Sequence, residues 1–177
     1  MEFVQPIRDI NKIEEMKEKL SPRDSFMFTL GINVGCRISD LLQLKVKDIR
    51  GKSHLCIEES KTGKTKRFLI NNSLKEVVYN YTEDLDPESW LFPSRKGDKP
   101  ITRVQAYRVL NKTAQEIGLD EIGTHTLRKT FGYWFYKRTM DVAMLQEIFN
   151  HSAPSITLRY IGINQDNMDE ALKDFTL

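Results

Sequence analysis

One stretch alone, His54 to Ile70, reads as β-structure, and this limits the fold more than any other feature of the 177 residues. His54-Leu55-Cys56-Ile57-Glu58 and Arg67-Phe68-Leu69-Ile70 are short runs rich in β-formers, and the basic segment Lys61-Thr62-Gly63-Lys64-Thr65 between them is turn-prone. Two such runs around a polar turn predict an antiparallel hairpin with Lys61 at or just before its mobile tip. A hairpin cannot bury a core by itself, so the core must come from helices. Trp90-Leu91-Phe92, closed by Pro93, is a candidate third strand. The expected class is α+β, mainly helical, with a small antiparallel β-sheet at one side.

Helical spacing accounts for most of the remainder. Ile10, Ile13, Met16 and Leu20 mark an amphipathic helix that ends at Ser21-Pro22. The same pair starts the next helix, with Ser21 as N-cap, Pro22 in the first position and Asp24 in the first turn. Phe26, Phe28, Leu30 and Ile32 make that helix strongly apolar, and Gly35 breaks it. Cys36 to Leu44 reads as a short helix with Arg37 at its entrance, where Asp40 is placed to hold it. Ser73 with Glu76 predicts a capping box for a helix to about Tyr81. Thr102 caps a helix to Ile117 with Val104, Tyr107, Leu110, Ala114 and Ile117 on one face, and Gly118 stops it. Thr124 caps a helix to about Arg138. Asp141 caps another, with Val142, Leu145, Ile148 and Phe149 inward. Ser155 caps the short helix that carries Tyr160. Met168, Ala171, Leu172 and Phe175 form an apolar stripe on a last helix within 164–177. No repeat or linker divides the chain, so residues 1–177 read as a single domain.

The formal net charge of +2 says nothing about partners, but its distribution does. Lys61, Lys64, Lys66 and Arg67 fall close together with no acid among them, and from Arg95 to Lys112 only Asp98 opposes the cations. Segregated basic blocks on a near-neutral chain suit one anionic face, although a solvated surface has the same composition. Arg103, Arg108 and Lys112 decorate the outside of the Thr102-capped helix, which suits either a helix lying along a DNA groove or a solvent-facing one. No apolar run is long enough to span a membrane. Met1 to Leu20 has no signal-peptide pattern. Two cysteines, Cys36 and Cys56, fit a reducing cytoplasm.

The chemistry concentrates between Gly123 and Tyr160, where His125, Arg128, His151 and Tyr160 stand out. Breaking a phosphodiester needs an in-line nucleophile, cationic donors on the non-bridging oxygens and a proton for the leaving group. Guanidinium forks suit the phosphate, imidazoles move protons near neutrality, and a phenol must be activated before it attacks. Taken singly, His-x-x-Arg is a weak signal and a tyrosine beside Ile156 and Ile161 is an ordinary packing residue. The three histidines lack zinc-binding spacing, and no glycine-rich phosphate loop or serine-hydrolase elbow occurs.

The ordered set is specific. Val34-Gly35-Cys36-Arg37-Ile38-Ser39-Asp40-Leu41-Leu42-Gln43-Leu44, then Ser60-Lys61-Thr62-Gly63-Lys64, His125-Thr126-Leu127-Arg128, Phe149-Asn150-His151-Ser152 and Thr157-Leu158-Arg159-Tyr160 follow one another. This series resembles the catalytic domain of the tyrosine recombinase (phage integrase) family, from about Pro6 to Tyr160. The resemblance implies that Tyr160 attacks DNA to give a 3′-phosphotyrosyl enzyme. It implies that Arg37 and Arg128 hold the phosphate with His151, that His125 assists proton transfer, and that Lys61 is the acid for the leaving 5′ oxygen. It further implies site-specific recombination of double-stranded DNA, as in integration or excision of a phage or mobile element, without metal or cofactor. Lys64, Lys66, Arg103, Arg108 and Lys112 are the expected DNA-binding set. The partners are DNA and further copies of the chain, as a tetramer on DNA and a monomer without it, in a bacterial or phage-encoded, cytoplasmic setting. The last helix either folds onto its own core or docks on a neighbouring subunit. Lys129 and Asn150 depart from the family's usual histidine and glycine, and Cys36 from its usual leucine or methionine. The N-terminal DNA-binding domain of full-length members is expected to be absent, as in an excised domain or a short relative. A topoisomerase IB-like nicking-rejoining enzyme and a non-cleaving DNA-binding module are the alternatives.

Overall fold

The computed structural model describes residues 4–120, 122–123 and 125–176. Its organising element is the helix α2 (Pro22–Val34), which follows α1 (Ile10–Lys19). Ser21 caps α2 by accepting from the Asp24 amide, and Pro22 occupies its first turn. Phe26, Met27, Phe28, Leu30 and Val34 are buried along it, so most of its circumference is packed, with Asn33 left facing solvent. Gly35 ends it at φ +71, in the left-handed region where a Cβ is disfavoured, and the Phe131 ring lies against that position. The chain is thereby turned sharply into Arg37.

Helix α3 (Ile38–Leu41) is shorter than the Cys36–Leu44 segment suggested, and α4 (Val46–Ile49) follows it. β1 (His54–Glu58) and β2 (Thr65–Leu69) form the expected antiparallel hairpin, with Ile57 opposite Lys66 and Glu58 opposite Thr65. The third strand is not there. Trp90 makes only an isolated bridge to Lys45, and Leu91 and Phe92 are fully buried, so the run is apolar because it enters the core. Asn71, not Ser73, caps α5 (Asn72–Thr82): its Oδ1 accepts from the Leu74 amide at 2.9 Å.

Thr102 and Gln105 close a capping box on α6 (Arg103–Glu116). Ala106 and Leu110 face inward there, while Val104 is 52% exposed and does not belong to the buried face. Helix α7 (Thr126–Thr139) runs across α2, and Thr124, its expected cap, lies outside the described residues. Asp141 caps α8 (Val142–Phe149) as expected. Ala153 rather than Ser155 precedes α9 (Pro154–Tyr160), because Pro154 takes the first helical position. The last helix, α10 (Ile163–Leu172), leaves Met168, Leu172 and the following Phe175 exposed at 51%, 61% and 65%. Its apolar stripe therefore does not fold onto the chain's own core.

The buried residues form two clusters. The larger joins α1 to α6 with the hairpin. The smaller, Tyr133, Leu145, Phe149, Ile161 and Ile163, lies under α7 to α10 and carries Tyr160 against its edge.

Candidate active site

Arg37 precedes α3, and its Nη1 donates to Glu59 Oε1 at 2.8 Å. The expectation that Asp40 would hold Arg37 is corrected. Asp40 Oδ1 instead accepts from the Ser60 amide at 3.1 Å and from the Ser60 hydroxyl. Glu59 is 2% exposed, and its other oxygen accepts from the Thr62 hydroxyl at 2.8 Å. Lys61 stands between Ser60 and Thr62, exposed and facing the same cleft as Arg37.

Arg128 lies in the first turn of α7 and is 4% exposed. Nη1 donates to the Gly35 carbonyl at 2.7 Å and Nη2 to the Phe149 carbonyl at 2.9 Å, while the guanidinium stands 4.4 Å from the Phe149 ring centroid. Burial lowers its pKa from the ordinary arginine value and Arg37 adds to this, yet a guanidinium remains charged.

His125 lies immediately before α7. Its Nδ1 is 3.4 Å from the Tyr160 hydroxyl. His151 sits past the end of α8, with Nδ1 paired to Thr157 Oγ1 at 2.9 Å and its ring 5.2 Å from that of Tyr160. Burial, and then neighbouring Lys129 and Arg128 for His125 or Arg128 and Arg37 for His151, lower both imidazole pKa values, so both rings are neutral near pH 7. Burial raises the Tyr160 phenol, opposed by Arg128 and Arg37. The Lys129 ammonium stands 5.0 Å from the Tyr160 ring centroid and donates to the Val4 carbonyl.

Arg37, Ser60, Lys61, Arg103, His125 and Arg128 border one open cleft of about 380 Å³. His125 also borders a second groove, of about 880 Å³, with Lys129, Tyr160, Gln165 and Met168. His125 thus joins the cationic cleft to Tyr160, and the His151 ring also packs edge-on against the Tyr160 ring. All six residues singled out for chemistry are thereby gathered within one region.

The expected DNA-binding set divides. Arg103 borders the cleft, and Arg108 and Lys112 are exposed on α6. Lys64 reaches Asn150 Oδ1 at 3.2 Å. Lys66 is half-buried and donates to the carbonyls of Glu147 and Ile148, where it caps the C-terminus of α8. Burial lowers its pKa. Asn150 has φ +57, which explains why glycine suits this position and why asparagine is the side chain that replaces it.

Two residues escaped the sequence reading. Glu58 and Glu59 are consecutive at a strand end, and successive side chains of a strand point to opposite faces, so one acid had to face inward. Thr157 lies one helical turn before Tyr160, and its spacing carried the signal without revealing its partner.

A phenol, two guanidinium groups, a lysine and two imidazoles in this arrangement equip an enzyme for phosphodiester transesterification through a tyrosine. The sequence profile of the phage integrase family matches residues 5–167. Probable integrase/recombinase YoeC of Bacillus subtilis is 54% identical over 178 residues, spanning 99% of this chain and 98% of its own. Tyrosine recombinase XerA of Pyrococcus furiosus is 26% identical over 169 residues, 93% of this chain but only 59% of its own length. Among solved structures, the XerA recombinase crystal structure aligns with a TM-score of 0.75 at 17% identity, covering 96% of this chain and 63% of that one. XerH recombinase in a post-cleavage complex with its difH substrate aligns at 0.72 and 20% identity, covering 97% and 53%. The chain belongs to the phage integrase family and is a tyrosine recombinase with the catalytic-domain fold.

Proposed function

We propose that this chain carries out site-specific recombination of double-stranded DNA, with Tyr160 as the nucleophile. The observation that carries the assignment is the Tyr160 hydroxyl 3.4 Å from His125 Nδ1, where His125 shares a cleft with Arg37, Lys61 and Arg128. Arg37 and Arg128 bind the non-bridging oxygens of the scissile phosphate, and His151 adds a donor. The Tyr160 oxygen attacks phosphorus as its proton passes to His125. The bond to the 5′ oxygen breaks, and that oxygen takes a proton from Lys61. A 3′-phosphotyrosyl bond results, and attack on it by a 5′ hydroxyl of the partner strand reverses every step. The phosphodiester energy is kept in the covalent bond, so these steps draw on no metal or nucleotide.

Arg103, Arg108 and Lys112 supply phosphate contacts along the duplex, and binding weakens steeply with salt. Further copies assemble on DNA as a tetramer. The exposed Met168, Leu172 and Phe175 support docking of α10 on a neighbouring subunit. The setting is the cytoplasm of a bacterium, in keeping with a DNA substrate and the free thiols of Cys36 and Cys56.

The test is covalent capture from a library of nicked duplexes randomised across the core. The expected result is a protein–DNA adduct at a defined sequence that is lost in Tyr160→Phe. No adduct from any sequence would refute the reading. Relaxation of supercoiled plasmid at arbitrary sequences would replace it with a topoisomerase activity.

A further inference from the structure

Lys61 was expected at a mobile hairpin tip, yet the segment that carries it is tied on both sides. Glu59 makes most of the ties. Its amide donates to the Lys64 carbonyl at 2.9 Å, and its own carbonyl accepts from the Thr62 and Gly63 amides at 3.1 and 2.8 Å. Gly63, at φ +64, provides the reversal that this closure needs. The side chain then splits its two oxygens, one accepting from Arg37 and the other from the Thr62 hydroxyl. On the opposite side Asp40 holds Ser60. Both chain neighbours of Lys61 are therefore bonded to carboxylates, while Lys61 itself remains exposed to the cleft.

We propose that Glu59 is a positioning residue that locks the phosphate-binding Arg37 and the Lys61-bearing loop into one unit before DNA arrives. The inference rests on the reading of Lys61 as the acid for the leaving oxygen. Burying a carboxylate is costly unless it is paired and hydrogen-bonded, and here both oxygens are engaged. Only Nη1 of Arg37 is engaged by Glu59, so the rest of the fork stays open to a phosphate. Arg37 and Lys61 must act on the same phosphate, one on its non-bridging oxygens and one on its bridging oxygen. A single carboxylate joining their segments fixes the separation of the two cations. Such alignment matters because a displacement of about 1 Å costs roughly a hundredfold in rate.

The experiment separates the two arms of Glu59. The captured duplex is made in two forms, with oxygen or sulfur at the bridging 5′ position. A thiolate leaves without receiving a proton, so the sulfur form bypasses the acid. Lys61→Ala is expected to be slow on oxygen and restored on sulfur. Thr62→Val, an exposed and nearly isosteric change that leaves the Arg37 arm in place and removes the hydroxyl's bond to Glu59 together with its acceptance from the Lys64 amide within the same loop, is expected to slow the oxygen form about tenfold and leave the sulfur form at the wild-type rate. Glu59→Gln keeps the shape of the side chain but weakens the Arg37 arm, and is expected to be slow on both forms, with partial recovery in Glu59→Asp. Without DNA, amide exchange at Thr62 and Gly63 is expected to accelerate in Thr62→Val and Glu59→Gln while the core amides of α2 stay protected, and the unfolding temperature is expected to fall, because a buried charged pairing loses a partner. Wild-type rates for Thr62→Val on both forms, or equal losses on both, would overturn the inference alone, provided Lys61→Ala is rescued by sulfur. Failure of that rescue would remove the acid assignment and the inference with it.

Discussion

Arg128 is proposed to bind phosphate, but the structure gives it a second task whose magnitude can be worked out. Its guanidinium donates to the carbonyls of Gly35 and Phe149, the C-cap of α2 and the last residue of α8. Helix C-terminal carbonyls lack intrahelical partners and sit at the negative end of the dipole, so one buried cation satisfies two helix ends that lie far apart in sequence. Arg128→Ala leaves both carbonyls without this donor. A hydrogen bond to a charged group is worth about 1.5–3 kcal/mol, and relief of guanidinium desolvation offsets part of the pair. A net loss of about 3 kcal/mol follows. For a chain of this size each kcal/mol moves the unfolding midpoint by about 2–4 °C, so the DNA-free variant should melt about 10 °C lower. Arg128→Lys should fall between, because a point cation cannot reproduce the fork. Circular dichroism melts in parallel with covalent capture would test this. An Arg128→Ala midpoint within about 2 °C of wild type would refute the structural role and leave a purely catalytic one.

Asn150→Ala should destabilise by about 1 kcal/mol, because a Cβ without a compensating polar side chain is placed in the left-handed region, whereas Asn150→Gly should be near neutral; denaturant midpoints decide. Both imidazoles titrate below the ordinary value of 6.5 when folded. On acidification through that value the unfolded chain takes up protons that the folded one refuses, so stability should fall as pH drops. A His125→Gln/His151→Gln double variant should show a shallower fall between pH 7.5 and 5.5, and an identical slope would contradict the assignment. Met168→Ser/Phe175→Ser should leave the DNA-free melting temperature unchanged, because both positions are exposed, yet weaken assembly on DNA in sedimentation. Unaltered assembly would count against docking of α10 on a neighbour. His125→Ala should slow single-turnover adduct formation about a hundredfold or more and recover with added imidazole.

The elements with strong local signals were legible. Ser21-Pro22 marked the start of α2, Thr102 marked the start of α6, and two runs of β-formers gave the hairpin. These features arise from interactions within a few residues. The misses share the opposite cause. Trp90-Leu91-Phe92 is apolar because the core receives it, and no local pattern distinguishes that from a strand. Asn71 displaced Ser73 as a cap because each offers the same chemistry two residues apart. The six residues proposed to act in the chemistry were visible by type and order, but their support was not. Glu59 and Thr157 gain meaning only when the chain folds Arg37 and His151 beside them. The opposite held for Lys66, whose place in a basic block suggested DNA while its ammonium is bonded to the end of α8.

In the DNA-free site the Tyr160 phenol keeps its proton, and the order of the influences on its pKa explains how. Burial is the largest influence on Tyr160 and raises its pKa, while Arg128 and Arg37 pull the other way without prevailing. A phosphate entering between those arginines neutralises part of the charge that was lowering the phenol. Substrate binding by itself therefore does not generate phenolate. The proton must leave as the phosphorus bond forms, and a neutral imidazole within reach of the hydroxyl is the group able to receive it. The same burial that raises the phenol keeps His125 unprotonated near pH 7. On the proposed roles, one physical cause thus keeps the Tyr160 phenol from ionising without DNA and keeps His125 free to accept its proton. The cost falls on alignment, since a protonated phenol attacks only when its oxygen is in line with phosphorus and the leaving oxygen and within reach of the imidazole. On this reading the bonds that Glu59, Asp40 and Thr157 make around Arg37, Lys61 and His151 serve that alignment.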